Sequence, residues 1–143
     1  LFRQSTHQTM KPQWPLIFKL VDLVIADTRR GAALLVPHIQ KQLKDKDPVC
    51  VFLTLCVLEA CMKYCGSPFH EFVAHPIFMK EMKSLVKKRY TKRKSALNGK
   101  ANFKNLIGQK AARLIRQWGV GYHEKKLKYR TFYTTYMQLL RKN

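Results

Sequence analysis

Acidic side chains are scarce in this chain of 143 residues: 8 Asp and Glu stand against 28 Lys and Arg, which gives a formal net charge of +20. The excess is uneven, because residues 1–75 carry 9 basic and 6 acidic side chains whereas residues 76–143 carry 19 and 2. A field of this sign attracts nucleic acid, anionic lipid or acidic peptides, and charge alone does not choose among them. A merely solvated basic surface has the same composition.

Long hydrophobic runs are also missing. The apolar run 49–53 is interrupted well before the roughly 20 residues that a membrane span needs, so we predict no transmembrane helix. The hydrophobic share of 46% nevertheless excludes general disorder and is enough for a core. We expect one domain over 1–143 and, because the chain begins with Leu1 rather than Met, a piece of a longer protein.

Catalytic constellations are absent from the sequence. There is no glycine-rich phosphate loop and no nucleophile elbow, and Asp22 and Asp27 have no complementary histidine nearby. His70 and His75 do not have the spacing of a helical zinc protease. We therefore predict a protein that is not an enzyme, with no catalytic residue, no metal and no cofactor.

Four cysteines, at positions 50, 56, 61 and 65, fall in a single predicted helix. Cys61 and Cys65 share a helical face, but helical geometry keeps them from a relaxed disulfide, and no second Cys or His pair at zinc spacing accompanies them. We predict that the cysteines are small buried apolar residues in a reducing, cytosolic compartment.

Helix punctuation recurs along the chain and strand-like alternation does not, which predicts an all-α fold. Asp47 and Pro48 are expected to start the most apolar helix, while Gly66 is expected to end it, and Gly119 with Gly121 to end a later one. Residues expected to face inward include four adjacent apolar pairs: Leu23 with Val24, Leu34 with Leu35, Ile77 with Phe78 and Leu106 with Ile107. The predicted helices are a short one ending near 10, then 13–26, 29–43, 48–65, 68–74, 77–90, 103–118 and 125–142, with a mobile basic loop at 91–102.

Two surfaces are candidates for binding. Trp14 and Phe18 lie one turn apart at the start of a helix and fit either a small docking patch or a staple onto the core. The second surface is the basic run 87–94, whose composition is that of a nuclear-import or polyanion-binding patch and equally of a solvated loop. Its candidate contacts for anionic lipid are Lys87, Lys88, Arg89, Lys92, Arg93 and Lys94.

One segment carries a family signature. The chain reads Leu-Glu-Ala-Cys-Met-Lys-Tyr-Cys-Gly over 58–66, followed by Phe69 and His70, and this resembles the VHS domain pattern position by position. Other pieces follow in the expected order: Trp14 with Asp22, Asp47-Pro48-Val49, Gln117-Trp118 and 136–142. The resemblance covers essentially the whole chain and implies a right-handed superhelix of eight helices. Within the family the chain is most similar to the GGA- and TOM-type endosomal and Golgi sorting adaptors, which implies that it is the N-terminal module of a longer protein.

The resemblance implies two binding modes. The first is weak binding of ubiquitin by the exposed face of the helices predicted at 13–26 and 48–65. Trp14 occupies the family's tryptophan position, and Phe18 stands where an aliphatic contact is usual.

The second mode is capture of acidic-cluster dileucine tails between the helices predicted at 77–90 and 125–142. Tyr90 matches the family's groove and Arg89 keeps a basic side chain beside it. Lys80 and Lys83 replace an asparagine and an aliphatic residue of that groove, and Pro76 replaces an aromatic one. The acidic part of a tail is favoured, whereas its leucines lack their usual pocket.

The function that these features imply is a non-enzymatic adaptor module in vesicular protein sorting. We expect a monomer that binds ubiquitin, ubiquitinated cargo or sorting peptides in the cytoplasm, peripheral to endosome or Golgi membranes. The alternative is binding of polyanions or phosphoinositides at a membrane surface through a basic face. This face comprises the helix predicted at 77–90, the 91–102 loop and the helix predicted at 125–142, whose basic residues include Arg130 and Lys142. Nucleic acid is not expected: VHS folds are similar to domains that read the phosphorylated tail of RNA polymerase II, but the cysteine-containing signature favours the VHS branch.

Overall fold

Helices account for nearly all of the backbone. The computed structural model describes residues 12–89, 99–122 and 129–142, apart from the side chains of 88–89 and 99–104. Within these ranges the chain forms seven α-helices and no strand. They are α1 (Trp14–Ala26), α2 (Thr28–Gln42), α3 (Pro48–Tyr64), α4 (Ser67–Val73), α5 (Pro76–Arg89), α6 (Gly99–Gly121) and α7 (Arg130–Lys142). The short helix predicted to end near residue 10 lies outside the described residues.

The chain divides into two compact units, Leu1–Phe72 and Val73–Asn143. In the first unit α3 is the central element and packs against α1 and α2. It is apolar on nearly all sides, and twelve of its residues are buried. Its buried Thr54 hydroxyl donates to the Cys50 carbonyl oxygen at 2.7 Å, so the polar group is satisfied inside the helix.

Helix boundaries in the first unit follow the predicted punctuation. The Asp47 carboxylate accepts a hydrogen bond from the Val49 N–H at 3.0 Å, and Pro48 occupies the first turn of α3. Gly66 has a φ of +79°, a left-handed conformation that ends the helical path after Tyr64. The predicted start and end of this helix are therefore confirmed.

In the second unit α6 packs against both α5 and α7. An aromatic cluster joins the end of α6 to the start of α7: the rings of Trp118 and Phe132 lie 5.5 Å apart, and those of Tyr122 and Tyr129 lie 5.3 Å apart. Tyr129 and Phe132 are almost fully buried. Tyr129 and Phe132 therefore belong to the core of this unit.

Helix α6 corrects two boundaries. It begins at Gly99, so residues 99–102 of the predicted 91–102 loop are helical, while 91–98 lie outside the described residues. It also runs through Gly119 and ends at Gly121, so the predicted stop is confirmed at Gly121 and wrong at Gly119. A Cβ at Gly119 would lie 2.7 Å from the Cβ of Tyr136, and the glycine therefore serves a close approach of α7 rather than a helix end.

Four residues expected to face inward are exposed, with relative exposures of 64% for Leu23, 69% for Leu34, 63% for Ile77 and 43% for Leu106. In each case the next residue along the chain occupies the buried position. These buried neighbours are Val24, Leu35, Phe78 and Ile107. The inward prediction is therefore confirmed for the second residue of each adjacent apolar pair and wrong for the first, so the buried face of each helix is narrower than the apolar spacing indicates.

All four cysteines are buried thiols outside any disulfide bond, as predicted. A hydrogen bond with Cys65, together with burial, raises the pKa of the Cys61 thiol above its usual range, so Cys61 packs as a neutral side chain. The same hydrogen bond lowers the pKa of Cys65. None of the described helices combines the length and the hydropathy that crossing a membrane requires.

Candidate functional site

Three aromatic side chains form an exposed cluster on the first unit, which we call the aromatic patch: Trp14, Phe18 and Tyr64. The ring centroids of Trp14 and Phe18 lie 6.1 Å apart, and those of Phe18 and Tyr64 lie 5.9 Å apart with the rings edge to face. Trp14 and Phe18 are each 43% exposed and Tyr64 is 51% exposed. Phe18 is thus the middle of a patch that spans α1 and α3.

The local structure explains why these rings face outward. On α1 the positions Ile17, Val21 and Val24 are buried, and Trp14 and Phe18 lie beside this stripe, at the edge of the buried face, where their rings are partly exposed. Tyr64 is the last residue of α3, where Cys65 caps the helix by donating its N–H to the Cys61 carbonyl oxygen. A residue at the end of a buried helix can reach the surface although the helix itself cannot.

The two predicted members of the patch lie together, and a third was missed. A staple onto the core would bury Trp14, whereas its observed ring contact is with the equally exposed Phe18. Tyr64 was not predicted because α3 is apolar on nearly all sides, so apolar spacing gives no face to which the residue could be assigned. The available signal was its position immediately before the Cys-Gly helix end.

Basic side chains converge on a groove in the second unit, between α5 and α7, with a volume of about 570 Å³. Lys80, Lys83 and Lys87 follow one another at helical spacing along α5, and Arg130 faces them from the first turn of α7. Among the described residues that line this basic groove none is acidic. The remaining lining residues are Pro76, Met79, Ser84, Thr131, Thr134, Thr135 and Gln138.

Contacts across the basic groove show that α5 and α7 run in the same direction. The Lys83 ammonium donates to Gln138 Oε1 at 2.8 Å, and one turn further along both helices Lys87 lies beside Lys142. The close side-chain contact with Lys142, and then its positive charge, lower the pKa of Lys87. Two ammonium groups held this close favour an anion between them. The positive ends of both helix dipoles lie together at the opposite end of the groove, where Pro76 and Arg130 begin α5 and α7.

The structure joins residues that the sequence had assigned to separate sites. Lys80 and Lys83, predicted for peptide binding, line the same groove as Lys87, predicted for anionic lipid. Arg130 and Lys142 were predicted only as basic residues of the last helix, and the contact of α7 with α5 brings Arg130 into the groove and Lys142 beside Lys87. The remaining predicted contacts lie outside the part of the chain that the structure describes. They are the side chains of Lys88 and Arg89 and the residues Tyr90, Lys92, Arg93 and Lys94.

The basic groove has the chemistry of an anion site. Its apolar lining residues are Pro76 and Met79, while hydroxyl and amide groups line much of the rest. Across the described ranges, no three His, Cys, Asp or Glu side chains lie close enough together to hold a metal ion.

Comparison with known proteins places the chain in a family. The model of the VHS domain family matches residues 1–143, and the chain therefore belongs to the VHS family. Its relatives include TOM1-like protein 9 of Arabidopsis thaliana, 27% identical over 97% of this chain, and TOM1-like protein 2 of the same plant, 30% identical over 95%. The chain spans 18% and 32% of the lengths of these two relatives.

A solved structure shares the fold. The crystal structure of the VHS and FYVE tandem domains of Hrs, described as a protein involved in membrane trafficking and signal transduction, matches with a TM-score of 0.77 and 23% identity. The match covers 99% of this chain and 58% of that one. The predicted family and the all-α fold class are thus confirmed, with seven helices in the described residues where eight were predicted for the whole chain.

Proposed function

We propose that this VHS domain is a non-enzymatic adaptor module in vesicular protein sorting and that it binds ubiquitin, free or on cargo, through the aromatic patch. Membership of the VHS family and likeness to Hrs, a protein involved in membrane trafficking, support the adaptor role. A cytoplasmic position peripheral to endosome or Golgi membranes is part of this proposal. The observation that carries it is the half-exposed cluster of Trp14, Phe18 and Tyr64.

The aromatic patch has the properties of a weak protein-binding site. Binding energy at interfaces concentrates in a few large residues, with Trp and Tyr over-represented. Here three rings already contact one another, so little side-chain freedom is lost when a partner covers them. The patch also lies in the less basic half of the chain, where the basic rim of ubiquitin meets less repulsion.

Titration of the isotope-labelled domain with ubiquitin, followed by amide shifts in NMR spectra, tests this proposal. We expect shifts around Trp14, Phe18 and Tyr64. Trp14→Ala should abolish them, and Tyr64→Ala should weaken binding about tenfold, because each substitution removes one of the three rings that form the patch. Val120→Ala is the matched control, since Val120 is 57% exposed on α6. Unchanged titration of Trp14→Ala would exclude this site.

The basic groove supports a second candidate function, binding of phosphoinositide headgroups at a membrane surface. Its four cations at Lys80, Lys83, Lys87 and Arg130 surround hydroxyl-bearing residues with no acidic side chain in the described lining. Each basic residue near an anionic membrane contributes about 1 kcal/mol, so such a cluster can hold a domain at the surface. The pair of ammonium groups at Lys87 and Lys142 favours a ligand that carries more than one negative charge.

Cosedimentation with vesicles that contain phosphoinositide tests the second function. We expect binding to fall steeply from about 50 mM to about 200 mM salt, because salt screens the attraction between the basic groove and the anionic membrane surface. The double variant Lys80→Gln, Lys83→Gln should lose most of it, whereas Lys63→Gln, Arg116→Gln removes the same charge outside the groove and should retain it. Equal losses of binding in the two variants would show that net charge, and not the basic groove, causes the binding.

Acidic-cluster dileucine tails are a further proposed ligand of the basic groove. The groove supplies cations for the acidic part of a tail but few apolar groups for its leucines. We therefore expect a peptide whose leucines are replaced by alanine to bind about as well as the original peptide. Strong loss of affinity on that replacement would show a leucine pocket.

A further inference from the structure

A second apolar surface on the first unit is separate from the aromatic patch. It is a groove of about 390 Å³ between α1 and α2, which we call the leucine groove. The two helices approach closely at its floor, where a Cβ on Gly31 would lie 2.9 Å from the Cα of Val24. The residues that line it are Leu20, Leu23, Val24, Gly31, Leu34, Leu35 and His38.

The exposure of the leucine groove is unusual for its composition. Leu23 and Leu34 are 64% and 69% exposed, the largest exposed fractions of any large hydrophobic residue in the described ranges. They face the groove from different helices, one from α1 and one from α2. Single exposed leucines are ordinary, but two that flank one concave apolar groove indicate a surface that another chain covers.

Three cations lie on the helix faces that carry Leu23 and Leu34. On α2, Arg30 lies four residues before Leu34 and Lys41 lies seven residues after it, so both share its helical face. On α1, Lys19 lies four residues before Leu23. All three are exposed. Asp27, between the helices, already accepts a hydrogen bond from the Arg30 N–H as the cap of α2.

We propose that the leucine groove binds an acidic amphipathic helix of a partner protein, with apolar side chains between Leu23 and Leu34 and carboxylates near Arg30, Lys41 and Lys19. Two helices that flank an apolar groove leave room for a third, which inserts residues spaced at i, i+3 or i+4, and i+7. A second copy of this chain is disfavoured, because the rim cations would face one another between molecules of charge +20. A flat bilayer matches a concave groove poorly.

The experiment uses a panel of synthetic helical peptides of about 18 residues, with leucines in each register of the i, i+4, i+7 pattern and glutamates elsewhere. A parallel panel has glutamine in place of every glutamate. Leucine methyl resonances of the labelled protein report binding. We expect at least one acidic peptide to shift the methyls of Leu20, Leu23 and Leu34 and to bind about tenfold more tightly than its glutamine counterpart at low salt.

Variants identify the groove. Leu34→Ala should weaken binding about fivefold or more, whereas Leu140→Ala, at a leucine that is 50% exposed on α7, should leave it unchanged. Arg30→Gln should weaken binding to the acidic peptide but not to its glutamine counterpart. Since Leu34 is at the surface, Leu34→Ala is expected to keep the helical fold, which circular dichroism checks.

Other outcomes overturn the proposal. These are the absence of methyl shifts with every peptide of the panel at about 1 mM, equal effects of Leu34→Ala and Leu140→Ala, or equal affinity for acidic and glutamine peptides. Leu34-dependent self-association, or Leu34-dependent binding to neutral vesicles, would assign the groove to a different occupant. Trp14→Ala should not change peptide binding, so this result and that of the ubiquitin titration are independent.

Discussion

At the scale of single residues, a missing side chain determines how α6 and α7 meet. Gly119 lies inside α6, where a glycine ordinarily weakens a helix, and the side chain of Tyr136 fills the space that a Cβ would need. The glycine is therefore a contact residue of the second unit. Its position cannot be distinguished from a helix stop in the sequence, because both uses place a glycine after an apolar turn.

We predict that Gly119→Ala lowers the free energy of unfolding by about 1–3 kcal/mol, because the new Cβ would lie 2.7 Å from the Cβ of Tyr136 and one helix must move. Chemical denaturation measures the change. Gly121→Ala is the matched control: nothing lies within 4 Å of its Cβ position, so we expect no loss and a gain of up to about 1 kcal/mol from helix propensity. Similar losses in both variants would contradict the proposed contact with Tyr136.

The candidate sites also differ at this scale in how far the sequence predicts them. Trp14 and Phe18 are predictable as a pair because they lie one turn apart at the start of a single helix. Tyr64 is not, because it joins the patch only through a neighbouring helix. Arg130 is predictable as a basic residue of the last helix, but its place in the groove depends on the contact between α5 and α7.

At the scale of helices, boundaries with a side-chain cap were the most predictable features. Asp47 and Pro48 precede the apolar α3, and the cap depends on atoms two residues apart. The exact faces of helices were less predictable, since on α1, α2, α5 and α6 only one residue of an adjacent apolar pair expected to face inward is buried. Adjacent apolar pairs cause this error: the sequence shows two candidates and only the neighbouring helix selects one.

We predict that Asp47→Ala lowers the free energy of unfolding by about 1 kcal/mol, because it removes the acceptor for the Val49 N–H at the start of α3. Asp27→Ala should have a smaller effect, since Asp27 Oδ1 is 3.5 Å from the Arg30 nitrogen and the site is exposed. Urea denaturation of both variants measures the difference. A larger loss for Asp27→Ala would show that cap geometry does not determine the stability of these helices.

At the scale of the whole molecule, charge separates the two halves of the chain. Residues 76–143 hold 19 of the 28 basic side chains and 2 of the 8 acidic ones. The close pair Lys87 and Lys142 shows that this density produces repulsion within the folded protein. Such repulsion is tolerated at a site that an anion occupies, which agrees with the second proposed function.

We predict that the melting temperature rises as sodium chloride increases from about 50 mM to about 500 mM, because salt screens repulsion among cations that folding brings together. Differential scanning calorimetry measures the rise. The double variant Lys87→Gln, Lys142→Gln should show a smaller rise in melting temperature, since it removes one close pair of cations. The control variant Lys63→Gln, Arg116→Gln removes the same charge elsewhere and should keep the larger rise. A melting temperature that falls with salt would mean that attractive ion pairs dominate.

The amino-acid sequence by itself determined the all-helical class, the family, the cap at Asp47, the turn at Gly66 and the buried cysteines. These features depend on residues close together along the chain or on composition, so no distant contact is needed to infer them. Only the tertiary structure decided which of two adjacent apolar residues is buried and that Tyr64 joins Trp14 and Phe18. It also decided which side chains of α5 and α7 line the basic groove. Each of these depends on contact between helices distant in sequence, and that contact is governed by side-chain shape rather than by local spacing.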